Sequence, residues 1–422
     1  MNAKPASWPV RLFAALLWAL LLSSCASDRV LRQHLKNPAP ISDARFEETI
    51  GELTGTRLLG GNRITELVNG EQFFPAMIEA IRHAQSSIHF ENFVWRSGDV
   101  SDQFIAALSE RARSGVKVNF LVDALGSIHF KNDDWERLRE SGVHCVKYKP
   151  LRLHTLFSVN QRTHRKILIV DGKIGFVGGI SIADEWLYET DNPGRWRDSH
   201  YRLEGPAVGQ LDEIFEAHWS RVAGKCAVSG RGKNPPAETS GACAAACFLS
   251  GIGGEENARR IYLLSIAGAR QSIRMAQSYF VPDDLARRLL IEARRRGVRV
   301  EVITPGNVNL NLVRRASRSR WKKLLDAGVE FYEYQPAKYH LKLLIVDDVW
   351  TTAGSVNFDD RSFGINEEAN FIALDREFAA TQIDTFEADK KLSRAVVPEE
   401  FRRRSIWIKS LEKLAGLLRF QL

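Results

Sequence analysis

Two segments of the chain present the same residue types at the same spacing: His164, Lys166 and Asp171 in HRKILIVD, and His340, Lys342 and Asp347 in HLKLLIVD. Each is followed by a turn of small residues, Gly178-Gly179 in the first case and Gly354-Ser355 in the second. On an extended backbone alternate side chains share a face, so His and Lys of each segment point one way and Arg165 or Leu341 the other. Two imidazoles and two ammonium groups brought to one point make a site for a phosphodiester. One histidine can attack phosphorus while the other protonates the leaving oxygen. Lys166 and Lys342 supply positive potential to the nonbridging oxygens without a bound metal. Ser181 and Asn357, in equivalent positions after the small-residue turns, can donate to a phosphate oxygen. Each imidazole needs a carboxylate to fix its tautomer, and the candidates are Asp198 in RWRDSHYRLEGPAV and Glu368 in GINEEAN. Asp171 and Asp347 stand beyond the apolar runs 167–170 and 343–346, where they brace the strand or turn rather than reach the phosphate.

The sequence around these segments repeats in the same order. IRHAQSSIHFENFV and IAGARQSIRMAQSYF each read as a helix end, a short turn and an alternating strand. ALSERARSGVKVNFLVDA and LLIEARRRGVRVEVITPG each read as a basic helix, stopped by Gly115 or Gly297, followed by a strand. Trp135 to Leu138 then leads to Gly142-Val143, as Trp321 to Leu325 leads to Gly328-Val329. The alternation predicts an α/β fold of two similar lobes, each a central mixed sheet flanked by helices. One shared site between the lobes is favoured over two separate ones, because a single histidine cannot act on opposite sides of one phosphorus. The expected organisation is a leader over 1–25, a first domain over 26–228, an exposed linker over 229–241, a second domain over 242–385 and a C-terminal helical extension over 386–422.

The composition is that of a folded globular protein, with 44% hydrophobic and 26% charged residues, which argues against a disordered chain. A net charge of +8 favours anionic partners: nucleic acid, a lipid headgroup surface or a phosphate-bearing substrate. The cysteines form no CxxC pair, which argues against a structural zinc site. Lys4 and Arg11 precede the apolar run 12–22 and then Ser23-Ser24-Cys25. That run is short for a bilayer span but suits a secretory signal. Leu22-Ser23-Ser24-Cys25 resembles the bacterial lipoprotein cleavage box, which implies lipidation of Cys25. An uncleaved anchor and an ordinary signal peptide are the alternatives. Secretion permits disulfides among Cys145, Cys226, Cys243 and Cys247, while Cys243 and Cys247 equally suit small buried apolar positions. Arg314, Arg315, Arg318 and Arg320 either touch phosphate or an anionic bilayer, or form a solvated face. Near the C-terminus Ile406, Leu411, Leu414, Leu417 and Leu418 recur at helical spacing. Such a stripe is expected to pack on its own domain, with membrane docking beside Trp407 and Arg402-Arg403-Arg404 as the second reading.

HRKILIVDGKIGFVGGISIADEW and HLKLLIVDDVWTTAGSVNFDDRSFGINEEAN resemble the twin His-Lys-Asp motifs of the phospholipase D superfamily. RWRDSHYRLEGPAV and RRASRSRWKKLLDAGVEFYEY are similar, more narrowly, to the bacterial cardiolipin synthases, and the resemblance runs from about Phe74 to Asp375. It implies a duplicated phospholipase D-like fold with one active site between the lobes, no metal or other cofactor, and a two-step exchange through phosphohistidine. It further implies His164 as nucleophile, His340 as general acid and then base, Lys166, Lys342 and Asn357 on the phosphate, and Asp198 and Glu368 orienting the imidazoles. Ser181 stands where the family often has the longer Asn. The reaction implied is transfer of a phosphatidyl group from phosphatidylglycerol to a lipid or glycerol hydroxyl. With water as acceptor the same groups make a hydrolase that releases phosphatidic acid. A nuclease and an inactive membrane scaffold are the rival classes; the leader argues against nucleic acid and the two complete motifs against a dead site. The expected partners are an anionic phospholipid and the membrane surface, at the bacterial envelope and facing the periplasm as a lipoprotein.

Overall fold

The apolar runs that follow the two His-x-Lys pairs become strands buried on both faces, as near-continuous Ile, Leu and Val sequences require. In this computed structural model the residues described are 30–150, 160–187, 195–223, 238–251, 256–306 and 311–417. The leader with Cys25, then Cys226, linker residues 229–237 and Leu418 lie outside the described residues.

The first half supplies β1 (Leu59–Val68), β2 (Ser87–Asn92), β3 (Lys117–Asp123), β4 (His144–Tyr148), β5 (Ile167–Val170), β6 (Ile174–Gly178), β7 (Trp196–Arg197) and β8 (Ser199–Glu204). The second supplies β9 (Cys243–Ser250), β10 (Ser272–Gln277), β11 (Arg299–Pro305), β12 (Glu330–Tyr334), β13 (Lys338–Tyr339), β14 (Lys342–Val346), β15 (Trp350–Gly354), β16 (Glu368–Leu374) and β17 (Ser393–Ala395). The helices are α1 (Ala44–Thr54), α2 (Asn69–Arg82), α3 (Asp99–Arg113), α4 (Asn132–Glu140), α5 (Ala207–Ala223), α6 (Asn257–Gly268), α7 (Asp284–Arg295), α8 (Asn311–Asp326), α9 (Asp360–Gly364), α10 (Arg376–Lys391), α11 (Pro398–Arg403) and α12 (Ile406–Leu417).

Among the described residues fifteen strands form one sheet in the order β17-β12-β11-β10-β14-β15-β16-β9-β1-β8-β6-β5-β2-β3-β4. Apart from β17 at one edge, the order reads the same from either side of the β9–β1 seam, so the duplication seen in the sequence is a two-fold repeat in space. In each half the His-x-Lys strand lies antiparallel between the first strand of a parallel trio and the returning hairpin partner. The two expected lobe sheets are therefore edge-joined. Asn62 fastens the join, its amide donating to the Cys243 carbonyl at 3.2 Å and its Oδ1 accepting from the Ala207 N–H at 2.8 Å. Helices α2, α3 and α4 cover one face of the first half, and α1, α6, α7 and α8 one face of the second. The face common to both halves is buried under α5 and α10. Helix α1 precedes the first half in the chain but packs on the second, where Phe46 meets Trp350 edge-on at 5.0 Å. Helix α10 runs unbroken through residue 386, and β17 adds to β12 beyond it. Cys243 and Cys247 take the buried apolar reading, free of any disulfide, and Cys145 is also free.

Asp171 and Asp347 act at the strand ends. Both adopt left-handed φ values, 53° and 51°, in the turn after their strand, a conformation Asp tolerates better than most residues. The Asp171 carboxylate accepts from the backbone N–H groups of Gln85, Ser86 and Ser87 at 2.8, 2.7 and 2.9 Å. Asp347 accepts equivalently from Arg270, Gln271 and Ser272 at 2.8, 2.7 and 3.0 Å. Each motif aspartate thus fixes its His-x-Lys strand to the neighbouring one.

The halves are also stitched directly beside each histidine. β7 pairs with β13, and the His340 N–H donates to the Arg197 carbonyl at 2.9 Å. Thr163 bridges Glu367, and the His164 N–H donates to the Glu367 carbonyl at 2.8 Å. Behind this second stitch the fully buried Glu367 meets Arg165 at 3.2 Å, Arg221 at 2.6 Å, His218 at 3.3 Å and the Tyr148 hydroxyl at 2.9 Å. Arg165, which alternates with the His-x-Lys side chains, therefore serves the joint.

The C-terminal stripe differs from its expectation. In α12 the side chains turned to the protein are Glu412, paired with Arg318 and Arg404, and Ala415. Ile406, Trp407, Leu414 and Leu417 are exposed. Burying a paired Glu412 against α8 turns the helix so that its apolar row faces outward. Among the described residues no helix is long and apolar enough to cross a membrane.

Removing the Glu367 carboxylate leaves the buried Arg165 and His218 to Glu91, which lies 3.9 and 2.8 Å from them. Glu367→Ala is expected to cost about 3–5 kcal/mol, read as a lower urea midpoint; an unchanged midpoint would show that the stitch carries no load.

Candidate active site

His164 precedes β5 and His340 lies between β13 and β14, so each sits where its strand enters the sheet. Both line a single cavity of about 550 Å³, together with Lys166, Ser181 and Asn357. Lys342 stands just behind that wall. Its ammonium donates to the His340 carbonyl at 2.6 Å and to the Ser278 hydroxyl at 3.2 Å. Ser278 in turn donates to Asn357 Oδ1 at 2.7 Å. Lys166 repeats the first contact, donating to the His164 carbonyl at 2.6 Å, but lies over the Phe93 ring at 5.1 Å.

The carboxylates are exchanged between the halves. His164 of the first half places Nδ1 at 2.9 and 3.0 Å from the two oxygens of Glu368 in the second. His340 of the second half places Nδ1 at 2.7 Å from Asp198 in the first. A carboxylate only accepts, so Nδ1 carries the proton in both rings and Nε2 of the neutral imidazole keeps its lone pair. Trp186 Nε1 and the Ser199 N–H donate to Asp198 at 3.2 and 2.9 Å, and the Ser355 hydroxyl donates to Glu368.

The small residues after each motif make room for Asp198 and for residues near the orienting carboxylates. A Cβ on Gly179 would lie 2.5 Å from Asp198 Oδ1, and one on Gly178 would lie 2.4 Å from His200 Nδ1. At Gly354, where φ is 156°, a Cβ would lie 2.2 Å from Asn370 Oδ1. What approaches closely is the orienting side chain and its neighbour as well as backbone.

Burial dominates the electrostatics. It pushes His164 down to about 4 against the opposing pull of Glu368, with Lys166 adding to the fall. Burial and then Lys342 push His340 down to about 3, against Asp198. Lys166 falls to about 7 and Lys342 to about 8, again chiefly by burial. Burial would raise Asp198 and Glu368, but the facing histidines and lysines outweigh it and hold both carboxyls below their ordinary range. The resting set is thus two neutral imidazoles, two carboxylates and two lysines whose charge is easily lost. An arriving phosphodiester replaces the missing water with negative charge.

Several lining residues escaped the sequence reading. Trp186 and Trp196 stack at 5.0 Å, with ring centres 5.8 and 5.0 Å from His340, and Phe93 lies 5.0 Å from His164. Lys338, Arg162, Arg361 and Asp359 also reach the cavity. Burial raises Asp359 to about 7, although the Ser362 N–H donates to it at 2.7 Å. The repeat register held a usable signal: β2 and β10 align Phe93 with Ser278, next to the two lysines. Trp186 and Trp196 had no such partner, since aromatic residues in a motif read equally as core.

With this geometry in view, residues 77–219 and 262–390 match the family described as cardiolipin synthase, PLD-like domain. A probable cardiolipin synthase of Bacillus subtilis, YwiE, is 36% identical over 358 residues, spanning 84% of this chain and 71% of that protein. The cardiolipin synthase of Geobacillus kaustophilus is 33% identical over 355 residues, spanning 83% and 71%. In fold, the chain is similar to the phosphatidylserine synthase of Haemophilus influenzae, with a TM-score of 0.68 over 90% of this chain and all of that one, at 14% identity. The chain belongs to the cardiolipin synthase family of the phospholipase D superfamily. Its class is that of the phosphatidyltransferases.

The exchange of carboxylates predicts crossed effects. Asp198→Asn removes the charge that favours protonation of His340, so the His340 pKa falls further while that of His164 stays; Glu368→Gln does the reverse. Histidine NMR across pH reads both. Turnover should fall about 10²- to 10⁴-fold in each. A response confined to the histidine of the same half would contradict the pairing.

Proposed function

We propose that the chain moves a phosphatidyl group from phosphatidylglycerol to a hydroxyl of a second lipid or of glycerol, through a phosphohistidine. In the first step Nε2 of His164 attacks phosphorus. The P–N bond forms, the P–O bond to the glycerol headgroup breaks, and His340 gives its proton to the departing oxygen. In the second step His340 takes a proton from the acceptor hydroxyl, whose oxygen attacks phosphorus while the P–N bond breaks. Lys166, Lys342, Asn357 and Ser181 face the charge on the nonbridging oxygens. The observation that carries this reading is the pair of Nδ1–carboxylate contacts across the halves, which keeps both Nε2 atoms for the cavity the halves share. A volume of about 550 Å³ suits a phosphodiester headgroup and part of an acceptor.

Charge balance explains how His340 becomes an acid. Asp198 and Glu368 offset the two lysines, so one bound phosphodiester adds one uncompensated negative charge, which a proton on His340 neutralises. Reading the leader as a lipoprotein signal, we place the enzyme on the periplasmic side of the bacterial envelope, held by lipid on Cys25. Mass spectrometry of the mature N-terminal peptide tests this, and an unmodified or absent Cys25 rejects it.

With phosphatidylglycerol vesicles the expected products are cardiolipin and glycerol, identified by mass spectrometry. Phosphatidic acid alone would favour water as acceptor, and cleavage of single-stranded DNA without lipid turnover would reject the reading. His340→Ala should slow turnover about 10²- to 10⁴-fold yet still form a covalent adduct on His164 when the leaving group is an activated aryl ester. His164→Ala should form none, and an adduct mapped to His340 would reverse the assignment.

The pH profile carries a further sign. Lys166 and Lys342 lose their charge as pH rises through about 7 and about 8, so kcat/KM for the anionic lipid should fall across that window. His164 must be unprotonated to attack, so the acid limb should lie near 4, and the proton that His340 takes up on binding makes kcat/KM decline above it, more steeply where the lysines lose charge. A profile flat from pH 6 to 9 would contradict the role given to the lysines.

A further inference from the structure

Helix α12 is two-sided in an unusual way. Its contact face against α8 is made of Glu412, held by Arg318 and Arg404, of Ala415, and of Gly416, where a Cβ would lie 2.6 Å from the Ser319 hydroxyl. At 100° per residue, Ile406, Trp407, Leu414 and Leu417 fall on the far side. Trp407 is 78% exposed and Leu417 71%. Lys409 and Lys413 lie at one edge of this apolar row and are exposed, as are Arg402 and Arg403 just before it. An apolar face bordered by cations is the pattern of a helix lying in the plane of a lipid surface, with lysine stems able to bend toward headgroups. The helix is short and carries lysines, which suits lying on a bilayer rather than crossing it.

The position of α12 connects this face to the chemistry. It packs on α8, whose Val313, Arg314 and Ser317 lie beside Tyr279, and Tyr279 also lines the catalytic cavity. Leu312 in the first turn of α8 is exposed, and so are Leu125 and Ile128 in the loop after β3. That loop abuts the cavity wall, since a Cβ on Gly126 would lie 2.3 Å from the Phe93 carbonyl oxygen. β3 and β11 are equivalent strands of the two halves, so exposed apolar side chains follow the same strand end in each.

We propose that α12 is an in-plane docking helix that seats the enzyme on an anionic bilayer. The occupant of the apolar face is the acyl boundary of that bilayer, and Arg403, Lys409 and Lys413 meet its phosphates. The substrate named above is a component of such a bilayer, and the inference takes only that substrate from the functional reading. A docked α12 brings α8, and with it the cavity it borders, to the surface from which a lipid headgroup must enter.

The test uses the full chain and vesicles of phosphatidylglycerol with brominated acyl chains. The emission difference between wild type and Trp407→Phe isolates one indole, and its quenching by bromine is the expected result. Vesicles of brominated phosphatidylcholine should quench it less. Leu414→Glu with Leu417→Glu should abolish the quenching and reduce turnover on vesicles at least about tenfold. Turnover of monomeric short-chain phosphatidylglycerol should stay within about twofold, since neither leucine touches the cavity. An unquenched Trp407 while vesicle lipid is turned over would overturn the proposal. So would conversion of a wild-type dimer to monomer by the double variant with vesicle turnover unchanged, because a second copy would then cover the face. If wild type turns over neither vesicle nor monomeric lipid, the functional reading fails, and the quenching still judges the docking.

Discussion

Everything at the site depends on the two hydrogen bonds that cross from an imidazole in one half to a carboxylate in the other. His164 to Glu368 and Asp198 to His340 are the same contact made twice, related by the two-fold repeat of the sheet. Neither half could fix its own histidine by this device. Duplication thus gives two histidines, and the exchange makes each useful only when the halves are joined. The seam at β1 and β9, the β7–β13 pair and the Thr163–Glu367 bridge serve that joining. The last two begin one residue from a histidine, so small errors in domain placement would be passed directly to the ring nitrogens. That proximity is a physical reason for a continuous sheet rather than two lobes on a flexible tether.

The same burial that fixes the geometry makes the site unstable as a collection of charges. Each imidazole would rather be neutral there, and each lysine holds its proton weakly. Asp198 and Glu368 keep the lysines charged and are themselves kept charged by them. This mutual support is pairwise in space and not in sequence. A preorganised polar set of this kind is worth most where water is excluded. Trp186, Trp196 and Phe93 supply that exclusion around the rings without competing for their protons.

Much of this was legible in the sequence because duplication turns weak signals into strong ones. One His-x-Lys pair is ambiguous, while two in matched surroundings give the lobes, the α/β alternation and six of the buried polar groups by position. The strand-bracing part of Asp171 and Asp347 followed from distance along the strand alone. Asp198 and Glu368 were legible as the orienting carboxylates but their pairing was not, because they differ in type and offset, and nothing local says that each serves the other half. Edge-joining of the sheets was hidden for a related reason: beside the β1–β9 pairing, the side chains that fasten the seam are Asn62 and Arg63 in a Gly-rich stretch. The α12 stripe was read the wrong way round because periodicity reports that a face is apolar and not which neighbour it meets. A buried ion pair at Glu412 decided the orientation.

The departures from two-fold symmetry are as informative as the symmetry. Phe93 and Ser278 are equivalent, and so are Ser181 and Asn357. In the second half Ser278 and Asn357 form a hydrogen-bonded chain ending on Lys342, which stands behind the cavity wall. In the first half Phe93 offers only its ring face to Lys166, which lines the cavity directly. A hydroxyl tether fixes the direction of an ammonium, whereas a ring face restrains it loosely and leaves its donors for a ligand. The two lysines therefore stand differently toward the cavity: Lys342 is tethered through Ser278 behind its wall, and Lys166 lines it directly. In the reaction proposed above, with the nucleophile on one side of phosphorus and the leaving oxygen on the other, this inequality would favour one orientation of an unsymmetrical substrate.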